Sequence, residues 1–250
     1  LVKAGADPHS FDPSPTDLAV IASAHLIVIN GLHLEDSLKK LIASSGYTGP
    51  IVEAASNIPN QLEITDSHGH EDNIDPHAWH DLSNAISYVQ TITDALIEID
   101  PDGAATYIQF SKLYSDQIRL HDTWARRLLL SLPKENRYLV TSHQSLQYLA
   151  SAYGLVIHSI EDINPQHEPD LQNIAELIHF IRIHKIQSIF TEEGISQKFT
   201  KQIATEAGIQ TGDKLFTDSL APLGHPADTY LGMFRFNIIR IYHQLHPETL

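Results

Sequence analysis

Apolar residues along this chain keep two different spacings, and the switch between them marks out the elements. Leu18, Ile21 and Ala22 follow Ser14-Pro15-Thr16-Asp17 at helical spacing. Ser14 suits an N-cap, Pro15 the first helical position, and Asp17 the place where a carboxylate closes a capping box. "LIVIN" (26–30) is a short β-branched run stopped by Gly31, and it reads as a buried strand. Residues 35–44 carry a helical pattern, "PIVEA" (50–54) a strand, and 55–76 is polar and loop-like. From about 77 to 99 the spacing is helical again. Tyr107, Phe110, Tyr114, Ile118, His121, Trp124 and Leu128 then recur every three or four residues, with no Pro until Pro133. A helix over 103–132 would be about 45 Å long at 1.5 Å per residue. That is long for one compact lobe and suits a spine between two, with the Trp124 and tyrosine stripe as core packing.

Beyond Pro133 the alternation is regular. Strands are expected at 138–142, 155–160, 188–192 and 214–218, and helices at 145–152, 169–184, 195–207 and 228–244. Strands alternating with helices argue for parallel sheets covered on both faces. The expected architecture is α/β in two lobes: 1–102, a connecting helix 103–132, and 133–250. No internal repeat of solenoid period is present.

Charge narrows the partners. Sixteen Lys and Arg stand against 31 Asp and Glu, a formal net charge of −15. Phosphate backbones and anionic membranes need clustered cations, so no nucleic-acid partner is expected, and cations are the better guess. No apolar run approaches the ~18–20 residues of a membrane span. With no cysteine, thiolate metal sites and thiol nucleophiles are excluded. Histidine is the outlier: sixteen, as many as Lys and Arg combined. Imidazole and carboxylate together ligate zinc, manganese and iron.

In open parallel sheets, ligands collect beyond the carboxyl ends of the strands. His143 follows strand 138–142, Asp218 ends strand 214–218, His9 follows a possible strand stub at 1–3, and His77 sits where a loop enters a helix. His9 and His77 both follow Asp-Pro, 68 residues apart (77 − 9). These four groups sit in separate segments, so a shared site would exist only in the folded chain.

The stretches "GADPHSFDPSPTDL", "NGLHLE", "DPHAWHDLSNA", "TSHQSLQYLASAYGL", "IFTEEGIS" and "LFTDSLAPLGHPADTYLGMFRFN" fall in order over nearly the whole chain. Together they resemble the solute-binding proteins of zinc and manganese ABC transporters, the zinc-uptake and TroA-like cluster. The resemblance implies two α/β lobes on a rigid backbone helix, with a metal ion between them that is delivered to a membrane permease. It implies a periplasmic receptor, or a lipid-anchored one on the outer face of a membrane, that is a monomer and not an enzyme. Carried over by position, the metal ligands fall on His9, His77, His143 and Asp218. The third position is His in zinc-type members and Glu in many manganese-type ones, so Zn²⁺ is expected and Mn²⁺ is the alternative. Three neutral imidazoles and one carboxylate would leave one positive charge on Zn²⁺ and fill a tetrahedron.

Three features depart from the family pattern. The first strand and helix expected ahead of "LVKAGADPH" have no counterpart, so an N-terminal lobe lacking them is expected. The His-rich loop of zinc-specialised members is reduced to "SHGHED", and "DPHAWHD" lacks the Pro that commonly follows. His80 could pair with His77 at i and i+3, although His77 alone is preferred. His68 and His70 read as a solvated loop, with weak metal capture as the alternative. His25 and His121 read as structural, His33 as near the cleft, and Glu192 and Glu193 as carboxylates that orient ligating imidazoles. Two other functions use the same residues: a metal-dependent hydrolase, which needs an open coordination position and a general base, and a metal-binding adhesin.

Overall fold

The computed structural model describes residues 1–11, 14–64, 73–161 and 171–246. The first helix, α1 (Pro15–Ser23), starts as its sequence dictates. The Ser14 hydroxyl accepts a hydrogen bond from the Asp17 amide, and the Asp17 carboxylate accepts one from the Ser14 amide. Next come β1 (Ile27–Ile29), α2 (Asp36–Ser44) and β2 (Ile51–Glu53), and β1 pairs parallel with β2. Ile21, Ile29 and Ile42 form the small core beneath them.

The 55–76 region is not wholly loop. Glu63–Ile64 (β3) and Asn73–Ile74 (β4) pair antiparallel, a two-residue ribbon too short to register as periodicity. The loop histidines His68 and His70 lie outside the described residues. The helix expected from residue 77 begins later. Ala78–His80 is a single 3₁₀ turn, and α3 runs Leu82–Ile99 with Asp81 as its N-cap, accepting from the Ser83 amide. His77 and His80 therefore do not share an α-helical face.

The long helix is present as α4 (Ala104–Leu130), 27 residues and about 40 Å. Its second half lies in the main core, where Ile118, Ala125 and Leu129 are fully buried against Leu82 of α3. Phe110 and Tyr114, in the first half, are exposed, so the aromatic stripe is core only in part. The same core takes in β5 (Tyr138–His143), α5 (Gln147–Tyr153) and α8 (Tyr230–Leu245) through Leu139, Leu149, Tyr153, Phe234 and Ile238. Each such side chain contributes about 1.5–3 kcal/mol by leaving water, so α4 is held from both lobes by apolar contact.

In the C-terminal lobe, β5 pairs parallel with β6 (Val156–Glu161), and β7 (Ser188–Glu192) with β8 (Gln210–Leu215). β5 and β7 lie side by side. Helices α6 (Leu171–Ile183) and α7 (Lys198–Ala207) pack on the strands through Ile174, Leu177, Ile181 and Ile203. The last strand is displaced from the expected 214–218. Its sequence, QTGDKL, is mostly polar and only Leu215 is buried, so no apolar run announced it. Asp218 thus stands three residues beyond the strand. No strand occupies residues 1–3 either. The result is two parallel α/β layers joined by a long helix.

Candidate metal centre

Four separated pieces of chain meet at one point. His9 lies in the 3₁₀ turn Pro8–Ser10, where Asp7 accepts the His9 amide at 2.8 Å. His77 opens the Ala78–His80 turn, and Asp75 accepts the His77 amide at 2.9 Å. The repeated Asp-Pro-His is therefore one local device used twice, a carboxylate folding back on the backbone two residues on. The second copy does more: the same Asp75 oxygen accepts from the imidazole Nδ1 of His77 at 2.7 Å. A carboxylate only accepts, so the proton sits on Nδ1 and the Nε2 lone pair is left for the cleft.

His143 is the last residue of β5, fully buried. Glu192, the last residue of β7, accepts the His143 amide at 2.9 Å and the Ser145 hydroxyl at 2.7 Å. Its other contact is with the ring, where Oε2 lies 2.9 Å from His143 Nδ1. Glu193 does something else, pairing with Lys214 at 2.6 Å. Of the two expected orienting carboxylates, only Glu192 reaches an imidazole.

The inward-facing atoms are the three Nε2 nitrogens and the Asp218 carboxylate. His9 and His77 Nε2 are 3.2 Å apart, and His77 Nε2 is 3.5 Å from Asp218 Oδ1. Asp218 Oδ2 is 3.8 Å from His9 Nε2 and 2.9 Å from His143 Nε2. All four groups present one ligand atom within 4.8 Å of the others. A tetrahedral ion with bonds near 2.0–2.1 Å has ligand atoms about 3.3 Å apart, within the 2.9–3.8 Å spread of the four contacts just given. Both Asp218 oxygens and the His143 Nε2 are buried and have no partner in hydrogen-bond geometry. Such groups are costly unless a cation completes them.

Electrostatics follow the same arrangement. Burial raises the pKa of a carboxylate, but His143, His77 and His9 outweigh it and hold Asp218 well below its ordinary range. Burial lowers that of an imidazole, and His9 falls to about 4 with His77 beside it. His143 goes the other way. Burial would lower it, yet Glu192 and Asp218 on either side raise it well above 6.5.

Among the described residues, the other histidines singled out by the sequence stand apart. His80 is buried, with Nε2 3.1 Å from the Thr217 carbonyl, and belongs to no ligand group. His33 pairs with Asp36 at 2.9 Å on the exposed surface, and His25 is exposed. His121 contacts the Gln117 carbonyl of its own helix. Asp75, which holds the His77 ring, was not singled out in the sequence, although the Asp-Pro-His repeat carried its signal.

Two α/β lobes on a long helix, with imidazoles and a carboxylate converging between them, define the class: substrate-binding proteins of metal ABC transporters. The chain belongs to the family described as zinc-uptake complex component A, periplasmic (ZnuA), which it matches over residues 1–244. It is 34% identical to the iron-binding protein YfeA of Yersinia pestis, over 95% of this chain and 76% of that one. To the manganese-binding lipoprotein MntA of Halalkalibacterium halodurans it is 28% identical, over 95% and 77%. The periplasmic zinc-binding protein TroA of Treponema pallidum has the same fold, with a TM-score of 0.92 at 28% identity, covering 98% of this chain and 90% of that one. These relatives are named for the metals they bind, which gives no support to the hydrolase and adhesin readings.

Proposed function

We propose that the protein is an extracytoplasmic receptor that captures one divalent transition-metal ion and delivers it to an ABC permease. His9, His77 and His143 each bind the ion through Nε2, and Asp218 binds it through its carboxylate. Zinc is the preferred cargo, because three imidazoles and one carboxylate suit four-coordinate zinc better than the oxygen-rich sets manganese favours. Relatives named for manganese, iron and zinc keep manganese as the second candidate. The working division of the chain is a lobe at 1–102, the helix at 103–132 and a lobe at 133–250, acting as a monomer. The receptor works in the periplasm or lipid-anchored on the outer face of a membrane.

The observation that carries this reading is the convergence of three Nε2 atoms and a buried carboxylate within 4.8 Å. Four ligands fill a tetrahedron and leave no position for a reacting water, which favours holding an ion over turning over a substrate. The test is metal content by mass spectrometry after purification without chelator, followed by zinc and manganese titration. One ion per chain, with zinc bound more tightly, is expected. Substoichiometric, weak binding of both would contradict the reading.

A further inference from the structure

Asp218 is the one carboxylate of the ligand set, and it sits where the sheet no longer holds the chain. β8 stops at Leu215, and Phe216 is then clamped by Asn237 of α8. The Phe216 amide donates to Asn237 Oδ1 at 3.0 Å, and Asn237 Nδ2 donates to the Phe216 carbonyl at 2.6 Å. The next carbonyl, Thr217, is held from the other lobe. Trp79 Nε1 donates to it at 3.0 Å, and His80 Nε2 lies 3.1 Å away. A carbonyl only accepts, so His80 Nε2 carries the proton. Burial, which pushes the His80 pKa to about 3, keeps that ring neutral. The same turn is tied a third time, by the Tyr230 hydroxyl donating to the Trp79 carbonyl at 2.6 Å.

We propose that Trp79 and His80 are positioning residues for cation capture, acting through Asp218. The proposal rests on the four-residue reading above. The Thr217 carbonyl belongs to the planar peptide unit that ends at the Asp218 Cα. Fixing that oxygen with two donors fixes the plane from which Asp218 projects. The donors come from the turn that His77 opens, so the backbone holds His77 and Asp218 in register in addition to their own 3.5 Å approach. Trp79 also lies 5.3 Å from the His77 ring, at 66°, and steadies it from the side. The loop is then ordered before an ion arrives. When the competent arrangement is only partly populated, apparent affinity falls by that fraction.

The test is a double-mutant cycle on zinc affinity, read by chelator competition. His80→Leu and Trp79→Phe each remove one donor, and Trp79→Phe keeps an aromatic ring against His77. Each is expected to weaken zinc roughly tenfold, at the lower end for orienting groups around a metal. His80→Gln, which places an amide N–H near the Nε2 position, should restore most of the loss. In an Asp218→Ala background, neither donor variant should cost anything further. Equal losses in both backgrounds would overturn the proposal, because the donors would then act on the fold and not through Asp218. Parent-like affinity in both donor variants would overturn it as well. Should Asp218→Ala alone bind zinc as tightly as the parent, the four-residue reading itself fails, and that arm reports it separately.

Discussion

Glu192→Gln separates two effects that the site combines. Glu192 is buried, at 1% exposure. It accepts the His143 amide and the Ser145 hydroxyl, and it faces His143 Nδ1 at 2.9 Å. Glutamine keeps the volume and one acceptor oxygen but removes the charge. Removing an orienting carboxylate typically costs 10–100-fold in metal affinity, about 1.4–2.7 kcal/mol. The same charge, with Asp218, also raises the His143 pKa in the metal-free protein well above 6.5. Below that raised pKa, an incoming ion must displace a proton from His143, so proton competition weakens the parent as pH falls. In Glu192→Gln the metal-free pKa of His143 drops and the competition lessens. The variant's deficit should therefore be greatest near pH 8.5 and narrow toward pH 6. Competition against a chromophoric zinc chelator at pH 6, 7 and 8.5 measures it. A deficit independent of pH would refute the electrostatic argument, and no deficit at any pH would remove Glu192 from the site.

Zinc binding near pH 7 should release a proton from His143 and none from His9, whose pKa is already down at about 4. Affinity should accordingly fall from pH 7.5 to 5.5, and calorimetry in buffers of different ionisation enthalpy counts the proton directly. His143→Glu should raise the manganese-to-zinc affinity ratio by exchanging an imidazole for a carboxylate, whereas His143→Ala should weaken both ions. Titrating both metals into both variants checks this, and parent-like zinc affinity in His143→Ala would remove it as a ligand. Deleting residues 66–72 should leave one tightly bound ion, because His9, His77, His143 and Asp218 already supply four converging ligands from outside that segment. Metal content and affinity of the deletion variant test that.

The candidate site was legible in the sequence because its residues sit in short, distinctive contexts. Asp-Pro-His occurs twice, and His143 lies at the end of the apolar run "YLVTS". Helix α1 was legible for the same reason, since Ser14, Pro15 and Asp17 each serve the start that the structure shows. What escaped was set by tertiary contact. β8 is polar along most of its length and is a strand because β7 pairs with it. Periodicity placed Asp218 at a strand end, whereas it stands beyond the strand near Asn237, Trp79 and His80, whose hydrogen bonds span 21 to 138 residues of sequence. The 3₁₀ turn at Ala78–His80 was hidden because His77, His80 and Asn84 keep nearly helical spacing through it. The exposed first half of α4 has a helical apolar stripe like its buried half, and no pattern within the helix tells which half meets the core.

The central claim is that one cation binds His9, His77, His143 and Asp218 together, and crystals grown with zinc test it most directly through anomalous diffraction at the zinc edge. The account predicts a single strong peak, about 2.0–2.2 Å from the Nε2 atoms of all three histidines and from an Asp218 oxygen. A peak bound by other residues, or one contacting fewer than three of these four, would contradict it.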